Sequence, residues 1–310
     1  MATEKETNTQ AIYDPDMFKE VIGKGLGPRK MEYSWKDVVL YALGIGAGKY
    51  DLPYIFEKNP GGLKVLPTFG LLPYLNSVSM EPVRKSPYAP NEIVGEFITE
   101  KLGYLQNRLH MAMDLTVHNP IPVQGTFLTE DKVNNVLDRG EGKGVVADCQ
   151  MDIYDRAGND LCTIHSYHYH SAFGGFGGPK FVSEKQPFPD REPDYCVTEY
   201  MWDNLAVLYR LTGDTNDVHI DPAFAERFNY EMPFMQGLCT FGFASRMLIQ
   251  AAIPFQPERV KHVYAQMRSV CFPGQDMKLS AWKLDEGKLI FKLEDSKDRL
   301  ILGNGLLEYV

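Results

Sequence analysis

The sequence lacks the features of several large protein classes. Its apolar stretches fall well short of the roughly 20 residues that a membrane-spanning helix needs. Positive charge is not in excess, since 32 Lys and Arg face 41 Asp and Glu and the formal net charge is −9. A nucleic-acid-binding surface requires a basic field. We therefore expect no membrane span and no nucleic-acid partner, although a few local Lys or Arg residues can still hold an anionic ligand.

Cysteines and targeting signals are also scarce. The five cysteines are an odd number and form no CxxC pair, which favours reduced thiols in an intracellular compartment. The first ten residues, MATEKETNTQ, contain no apolar segment and no arginine, and the last five, LLEYV, are not a peroxisomal SKL-type signal. We expect a solvated tail without a signal or transit peptide, and a location in the peroxisome or the cytoplasm.

The chain contains a weak internal repeat. The segment VLYALGIG at 39–46 aligns with VLYRLTGD at 207–214, and each is followed by a TFG triplet, at 68–70 and at 240–242. Two matches in the same order at similar spacing indicate a duplication. The hydrophobic content of 44% is enough for a sizeable core.

Strand patterns close each half of the repeat. Residues 144–170 predict a hairpin that turns at 157–159, and residues 276–295 alternate polar and apolar side chains around a turn at 285–287. A long, mostly apolar helix is predicted over 233–252. Because an apolar helix flanked by strands is usually wrapped by a sheet, we expect each half to be a curved antiparallel sheet around one buried helix.

Shorter elements precede the long helix. The helical period of 202–211, followed by Gly213, predicts a helix with a C-terminal cap. Asp-Pro at 221–222 predicts the start of another short helix. Residues 174–194 are dense in Gly and Pro and predict the connector between the two halves.

The loop GDTNDVHIDP at 213–222 carries the side chains best suited to acid–base chemistry. It lies between two predicted helices, and loops held by rigid elements often carry catalytic groups. Asp214 and His219 can share a water molecule, one side chain taking its proton and the other delivering a proton to a substrate. Asn216 can orient either group because a carboxamide both donates and accepts. The alternative interpretation is that Asp214 and Asn216 are turn residues and His219 is a capped or core histidine.

A second candidate is Gly237, near the start of the predicted long helix. Amide N–H groups in the first turn of a helix lack intrahelical partners and carry partial positive charge. A glycine also lets a ligand approach the backbone closely. Together these are the properties of an oxyanion hole. The alternative is a glycine that is needed only for packing between helix and sheet.

Three other motifs are weaker candidates. GIGAG at 44–48 ends a predicted helix and is not followed by Lys-Ser or Lys-Thr, which argues against nucleotide binding. His165, His168 and His170 resemble a metal cluster, but on a strand His165 points away from the other two. Cys239 lies among apolar residues of the predicted long helix, where a thiol is usually unreactive. We expect no metal site and no covalent nucleophile among these residues.

The chain resembles the 2-enoyl-CoA hydratase 2 group, also called MaoC-like dehydratases, which includes the hydratase region of the peroxisomal multifunctional beta-oxidation enzyme. The matching motifs are YALGIGAG (41–48), LPTFG (66–70), His110, GGFGG (174–178), LYRLTGD (208–214), HIDP (219–222), GLCTFG (237–242) and FPGQ (272–275). The resemblance implies an α+β double hot dog, in which two repeats each wrap a curved antiparallel sheet around a central helix. It also implies that residues 1–178 form a non-catalytic half that binds the acyl chain and that residues 179–310 form the catalytic half.

The resemblance further implies an activity, the reversible hydration of trans-2-enoyl-CoA to (3R)-3-hydroxyacyl-CoA in fatty acid beta-oxidation. The CoA thioester is the substrate, and no metal or other cofactor is expected. Asp214 and His219 would hold the catalytic water, Asn216 would orient them, and the Gly237 N–H would bind the thioester oxygen. A homodimer is expected. The alternatives that stay open are a hot dog thioesterase, an acyl-carrier-protein dehydratase, and a catalytically silent acyl-CoA-binding protein.

Two positions depart from the family pattern. The family has Pro-Leu before the histidine, where this chain has Asp-Val at 217–218, and the added charge is expected to raise the pKa of His219. The family commonly has His before the oxyanion glycine, where this chain has Gln236. In the repeat, Gly46 occupies the position of the catalytic aspartate. The first half is therefore expected to lack the proton chemistry and, by resemblance, to form the acyl pocket around its small residues at 44–48.

Overall fold

One antiparallel sheet of ten strands organises the residues that the structure, a computed structural model, describes: 13–74, 89–104, 107–171, 173–182, 187–227 and 229–310. The strands are β1 (Arg29–Tyr33), β2 (Arg108–Val117), β3 (Gly125–Asp138), β4 (Val145–Tyr154), β5 (Asp160–His170), β6 (Tyr195–Met201), β7 (Val260–Met267), β8 (Gln275–Asp285), β9 (Lys288–Glu294) and β10 (Leu300–Tyr309). The predicted solvated tail and positions 183–186 of the connector lie outside the described residues.

The strand order reproduces the sequence repeat. It runs β1-β3-β4-β5-β2-β7-β10-β9-β8-β6, so each half has the same order read outward from the central β2–β7 pair. Ala112 pairs with Gln266 and Thr116 with His262 across that seam. The predicted duplication and the predicted antiparallel sheets are confirmed, and the two sheets join edge to edge into one.

The described residues also form six helices. They are α1 (Trp35–Gly44), α2 (Leu52–Ile55), α3 (Pro90–Glu96), α4 (Leu205–Tyr209), α5 (Pro222–Arg227) and α6 (Gly237–Ala252), with 3₁₀ turns at Pro67–Leu71, Arg210–Thr212, Asp217–His219 and Pro257–Arg259 and a π-helical turn at Phe97–Lys101. Every residue of α6 from 238 to 249 is buried, and the helix packs against β6, β7 and β8. It is the central helix of the second half. The TFG triplet of the first half lies in the buried 3₁₀ turn at 67–71, and residues 75–88 lie outside the described residues.

The predicted hairpins and the cap are confirmed, but the predicted start of the long helix is wrong. β4–β5 and β8–β9 turn where the sequence predicts, and Gly213 ends its turn with φ of 138°. The long helix begins at Gly237 and not at residue 233. Residues 233–236 use their polar groups in tertiary contacts, since the Met235 N–H donates to the Cys271 carbonyl at 2.8 Å and the Gln236 side chain donates to the Ala206 carbonyl at 3.1 Å.

The end of α1, in the first half, packs closely against α6, in the second half. A Cβ on Gly242 would lie 2.7 Å from Ile45 Cγ2, and one on Gly46, where φ is +87°, would lie 2.6 Å from the Phe243 ring. Only glycine fits at both places. Arg246 of α6 is buried, donates to the Ile45 carbonyl and forms an ion pair with Glu199. Among the described residues, no helix has the length and apolar character needed to cross a membrane.

Candidate active site

The loop that follows α4 carries the predicted acid–base residues on one short segment. The Asn216 N–H donates to Asp214 Oδ1 at 3.3 Å, and the Val218 N–H donates to Asn216 Oδ1 at 3.4 Å. Asn216 is therefore the N-cap of the 3₁₀ turn Asp217–His219. Its backbone contacts the carboxylate, and its side chain fixes the turn that presents the imidazole.

The His219 imidazole faces the Asp214 carboxylate across a short gap. Its Nδ1–H donates to the Phe234 carbonyl at 2.8 Å, and its Nε2 lies 4.0 Å from Asp214 Oδ2. Because a carbonyl only accepts, Nδ1 carries the proton in the neutral ring and Nε2 holds a bare lone pair. The side chains are 9% and 16% exposed, so both groups are largely shielded from bulk solvent.

When His219 is neutral, its Nε2 and the Asp214 carboxylate are two hydrogen-bond acceptors that face each other. Burial lowers the pKa of His219 below its ordinary value, while the Asp214 charge and the hydrogen bond to Phe234 act in the opposite direction. A neutral Nε2 and a carboxylate oxygen cannot hydrogen-bond to each other. One water molecule donating to both would place them about 4–4.5 Å apart, which matches the observed 4.0 Å.

Gly237 is the first residue of α6 and opens onto the same space. Gln236 precedes it in extended conformation, with φ of −58° and ψ of 134°. The helical hydrogen bonds begin with the Thr240 N–H, which donates to the Gln236 carbonyl at 3.1 Å. The Gly237 N–H therefore belongs to the group of helix-start donors without an intrahelical acceptor. A Cβ on Gly237 would meet only ordinary contacts, at 3.8 Å from Met267 and 3.9 Å from His110 Nδ1.

All four predicted site residues line one cavity of about 540 Å³. Asp214, Asn216 and His219 come from the loop after α4, and Gly237 comes from the start of α6. The alternative interpretation, that these residues are only turn, core and packing residues, does not account for their convergence on one cavity. The cavity therefore brings an imidazole nitrogen and a carboxylate oxygen together with the N-terminus of a helix.

The first half of the chain supplies a polar wall that the sequence did not predict. Tyr74, His110 and His168 line the cavity. The Tyr74 hydroxyl lies 2.7 Å from His168 Nε2, the buried Ser166 Oγ lies 2.6 Å from the same nitrogen, and the His110 and His168 rings stack at 4.8 Å. Burial lowers the pKa of His110 to about 4 and that of His168 well below its ordinary value, so both rings are neutral at pH 7.

Comparison with known families decides the assignment. The family model described as MFE-2 hydratase 2 N-terminal domain matches residues 31–169, and the model described as MaoC like domain matches residues 181–300. The chain belongs to the hydratase 2 and MaoC-like dehydratase family. Together the two models cover both halves of the duplicated sheet.

Members of this family are similar to the chain over nearly its whole length. It is 29% identical over 296 residues to a probable enoyl-CoA hydratase 2 of Dictyostelium discoideum, covering 93% of this chain and 95% of that protein. It is 33% identical over 259 residues to peroxisomal multifunctional enzyme type 2 of Drosophila melanogaster, covering 81% of this chain but 41% of that protein. A MaoC-like dehydratase from Phytophthora capsici superposes with a TM-score of 0.78 at 23% identity, over 94% of this chain and 98% of that one. The predicted α+β double hot dog is confirmed.

The two departures from the hydratase 2 pattern lie in different environments. Asp217 is exposed, and the groups that raise the pKa of His219 are Asp214 and the Phe234 carbonyl, so the expected effect of Asp217 is not found. Gln236 is fully buried, and its amide nitrogen ties the start of α6 to the Ala206 carbonyl of α4. Gln236 thereby connects α6 to α4, the helix that precedes the loop with Asp214 and His219.

The weaker motifs lie elsewhere in the hydratase 2 fold. Residues 44–48 do not line this cavity: a Cβ on Gly44 would meet Tyr209 and Thr212, and one on Gly46 would meet Phe243 of α6. An acyl pocket formed by the first half stays a prediction. His165 points to the opposite face of β5 from His168, as predicted, and its Nδ1 lies 2.8 Å from Asp148 Oδ1. Cys239 is buried, its thiol donates to the Gly44 carbonyl, and burial raises its pKa well above the ordinary value.

Proposed function

We propose that the chain catalyses the reversible hydration of trans-2-enoyl-CoA to (3R)-3-hydroxyacyl-CoA in fatty acid beta-oxidation. The observation that carries the proposal is the pair of acceptors, Asp214 Oδ2 and His219 Nε2, held 4.0 Å apart in one cavity with the N-terminus of α6. The relatives named enoyl-CoA hydratase 2 support the same reaction.

In the proposed mechanism, one water molecule donates hydrogen bonds to both acceptors. Its oxygen attacks C3 of the enoyl group while neutral His219 takes a proton through Nε2. The electron pair of the double bond moves onto the thioester oxygen, and the Gly237 N–H donates to the enolate that forms. The imidazolium, stabilised by the Asp214 carboxylate, then returns the proton to C2, so the sum of the steps is the addition of one water.

The expected rate advantage comes from two separable effects. Proton transfer by a positioned side chain contributes about 10²- to 10⁴-fold. An oxyanion-hole donor contributes about 2.7–4 kcal/mol. Asn216 touches neither reacting carbon in this mechanism, and its proposed role is to keep the carboxylate and the imidazole at their separation.

The two halves have different proposed roles. Residues 179–310 provide the acid–base groups and the oxyanion glycine. Residues 1–178 bind the acyl chain, and the first-half side chains that line the cavity support this role. Arg139 and Arg268 also line the cavity, one from each half, and are the proposed ligands of the CoA phosphates.

Assembly and compartment are further proposals. We propose a homodimer, to be tested by light scattering. Relatives named as peroxisomal enzymes support a location in the peroxisome, with the cytoplasm as the alternative, and microscopy of the tagged protein tests this.

The direct test of the function is an assay with trans-2-enoyl-CoA thioesters. Loss of the enoyl thioester absorbance, with formation of the (3R)-3-hydroxyacyl product, is the expected result. Release of free CoA thiol would favour the thioesterase, and turnover of acyl-carrier-protein substrates alone would favour the carrier-protein dehydratase. Binding without turnover of any thioester would favour the silent binding protein.

Acid should inactivate the enzyme through His219. The base needs a neutral Nε2, and burial keeps its pKa below the ordinary value of 6.5. We therefore expect kcat/KM to stay level as the pH falls through 6.5 and to decline only at lower pH. A pH–rate profile of the free enzyme measures this. A decline centred above pH 6.5 would contradict the assignment.

Metal removal should leave hydration intact. The reaction involves no change of oxidation state, and the side chains supply the proton transfers that a metal-bound water would otherwise provide. We expect the protein dialysed against EDTA to retain its full kcat. A loss of activity that a divalent cation restores would show that the proposed mechanism is incomplete.

A further inference from the structure

His110 is held rigidly on the first-half wall of the cavity. Its Nε2–H donates to the Ala112 carbonyl at 3.1 Å, Ser166 Oγ lies 3.4 Å from the same nitrogen, and the ring stacks on His168 with an interplanar angle of 12°. The β2–β7 pairing brings this side chain next to the start of α6, which lies 127 residues away along the sequence. The imidazole therefore has one fixed orientation beside Gly237.

The hydrogen bond to Ala112 determines which ring nitrogen can accept. A carbonyl only accepts, so Nε2 carries the proton, and the neutral ring leaves a bare lone pair on Nδ1. No donor among the described residues lies within hydrogen-bond distance of Nδ1. This atom lies 3.9 Å from the position of a Cβ on Gly237 and lines the cavity. His110 is therefore an acceptor and cannot be a second donor to the thioester oxygen.

An acceptor that lines the substrate cavity can bind a donor of the substrate. An unsubstituted acyl chain has no N–H or O–H group, and the hydroxyl of the product is assigned to Asp214 and His219. The nearest remaining donor of a CoA thioester is the first amide N–H of the pantetheine arm, two methylene groups from the sulfur. We propose that His110 Nδ1 accepts a hydrogen bond from this amide and thereby positions the thioester carbonyl at the Gly237 N–H. The inference rests on the proposed hydratase function.

Two small thioesters test this inference. Crotonyl N-acetylcysteamine thioester keeps the amide N–H, and the S-(2-acetoxyethyl) thioester of the same acid replaces that N–H with an ester oxygen. We expect the wild-type protein to prefer the amide thioester by about tenfold in kcat/KM, which is the effect of one hydrogen bond. His110→Ala should lower kcat/KM for the amide thioester and bring the preference close to one.

Two variants serve as controls. His110→Asn places a carboxamide oxygen near the position of Nδ1 and should restore much of the preference. Met267→Leu changes the apolar neighbour of the same site and should leave the preference unchanged. Equal losses with both thioesters in His110→Ala would overturn the inference.

A wild-type preference close to one would also overturn the inference, and this measurement does not depend on how any variant folds. If the wild-type protein hydrates no thioester, including crotonyl-CoA, the proposed function fails and the inference fails with it. Hydration without a preference for the amide would contradict the role of His110 alone.

Discussion

Asp214→Asn and His219→Ala should each lower kcat for enoyl-CoA hydration by about 10³-fold while the protein stays folded. The asparagine keeps the size of the aspartate but turns one acceptor into a donor, so the water loses one of its two fixed partners. The alanine removes the bare Nε2 that takes the proton. Steady-state kinetics with crotonyl-CoA measures both losses, and thermal unfolding reports the fold.

The same loop provides a matched control. Asp217→Asn removes the same charge three residues along, but Asp217 is exposed and does not act on the pKa of His219. We expect its kcat to stay within about twofold of wild type, as for surface substitutions. The double variant of Asp214 and His219 should be no slower than the slower single variant, because the two side chains act on one water. Turnover near wild type in either folded single variant would remove the proposed roles.

Gly237→Pro should lower kcat by about 100- to 1,000-fold, whereas Gly237→Ala should lower it far less. Proline is favoured at the first position of a helix because the N–H that it lacks has no intrahelical partner there. Gln236 already has the extended conformation that a residue before proline prefers. The substitution therefore deletes the proposed oxyanion donor with little cost to the helix, and one such donor contributes about 2.7–4 kcal/mol.

Alanine is the control for the added bulk. It keeps the N–H and adds the Cβ that would meet Met267 and His110 at ordinary contact distances. Comparing kcat and KM for the two variants separates the lost donor from crowding of the cavity. Equal activity of the two variants would mean that the Gly237 amide does not stabilise the transition state.

The sequence predicts those parts of the fold that depend on local pattern. The repeat at 39–46 and 207–214 predicts the duplicated sheet, and the hairpin turns lie where glycine and aspartate mark them. The local pattern places the start of α6 too early because Phe234 and Met235 are apolar and Gln236 is helix-compatible. Their carbonyl and amide groups instead bond to His219, Cys271 and Ala206, which are distant contacts that no local pattern contains.

The candidate site also combines residues that are close in sequence with residues that only the fold brings together. Asp214, Asn216 and His219 lie within six residues of one another, so the motif itself predicts their proximity. His110 matches the family pattern, but only the β2–β7 pairing places it beside Gly237. Small size alone makes the glycines at 44 and 46 candidates for the acyl pocket. At Gly46 the Phe243 ring of α6 fills the place of a side chain, and at Gly44 Tyr209 and Thr212 lie close by, so small residues serve close packing as readily as ligand access.

A crystal structure of the protein with bound (3R)-3-hydroxyacyl-CoA tests the proposed mechanism most directly. We expect the 3-hydroxyl to lie within about 3 Å of both Asp214 Oδ2 and His219 Nε2, in the position of the attacking water. The thioester oxygen should lie about 2.7–3.1 Å from the Gly237 nitrogen. A product whose hydroxyl lies away from both side chains, or whose thioester oxygen points away from Gly237, would contradict it.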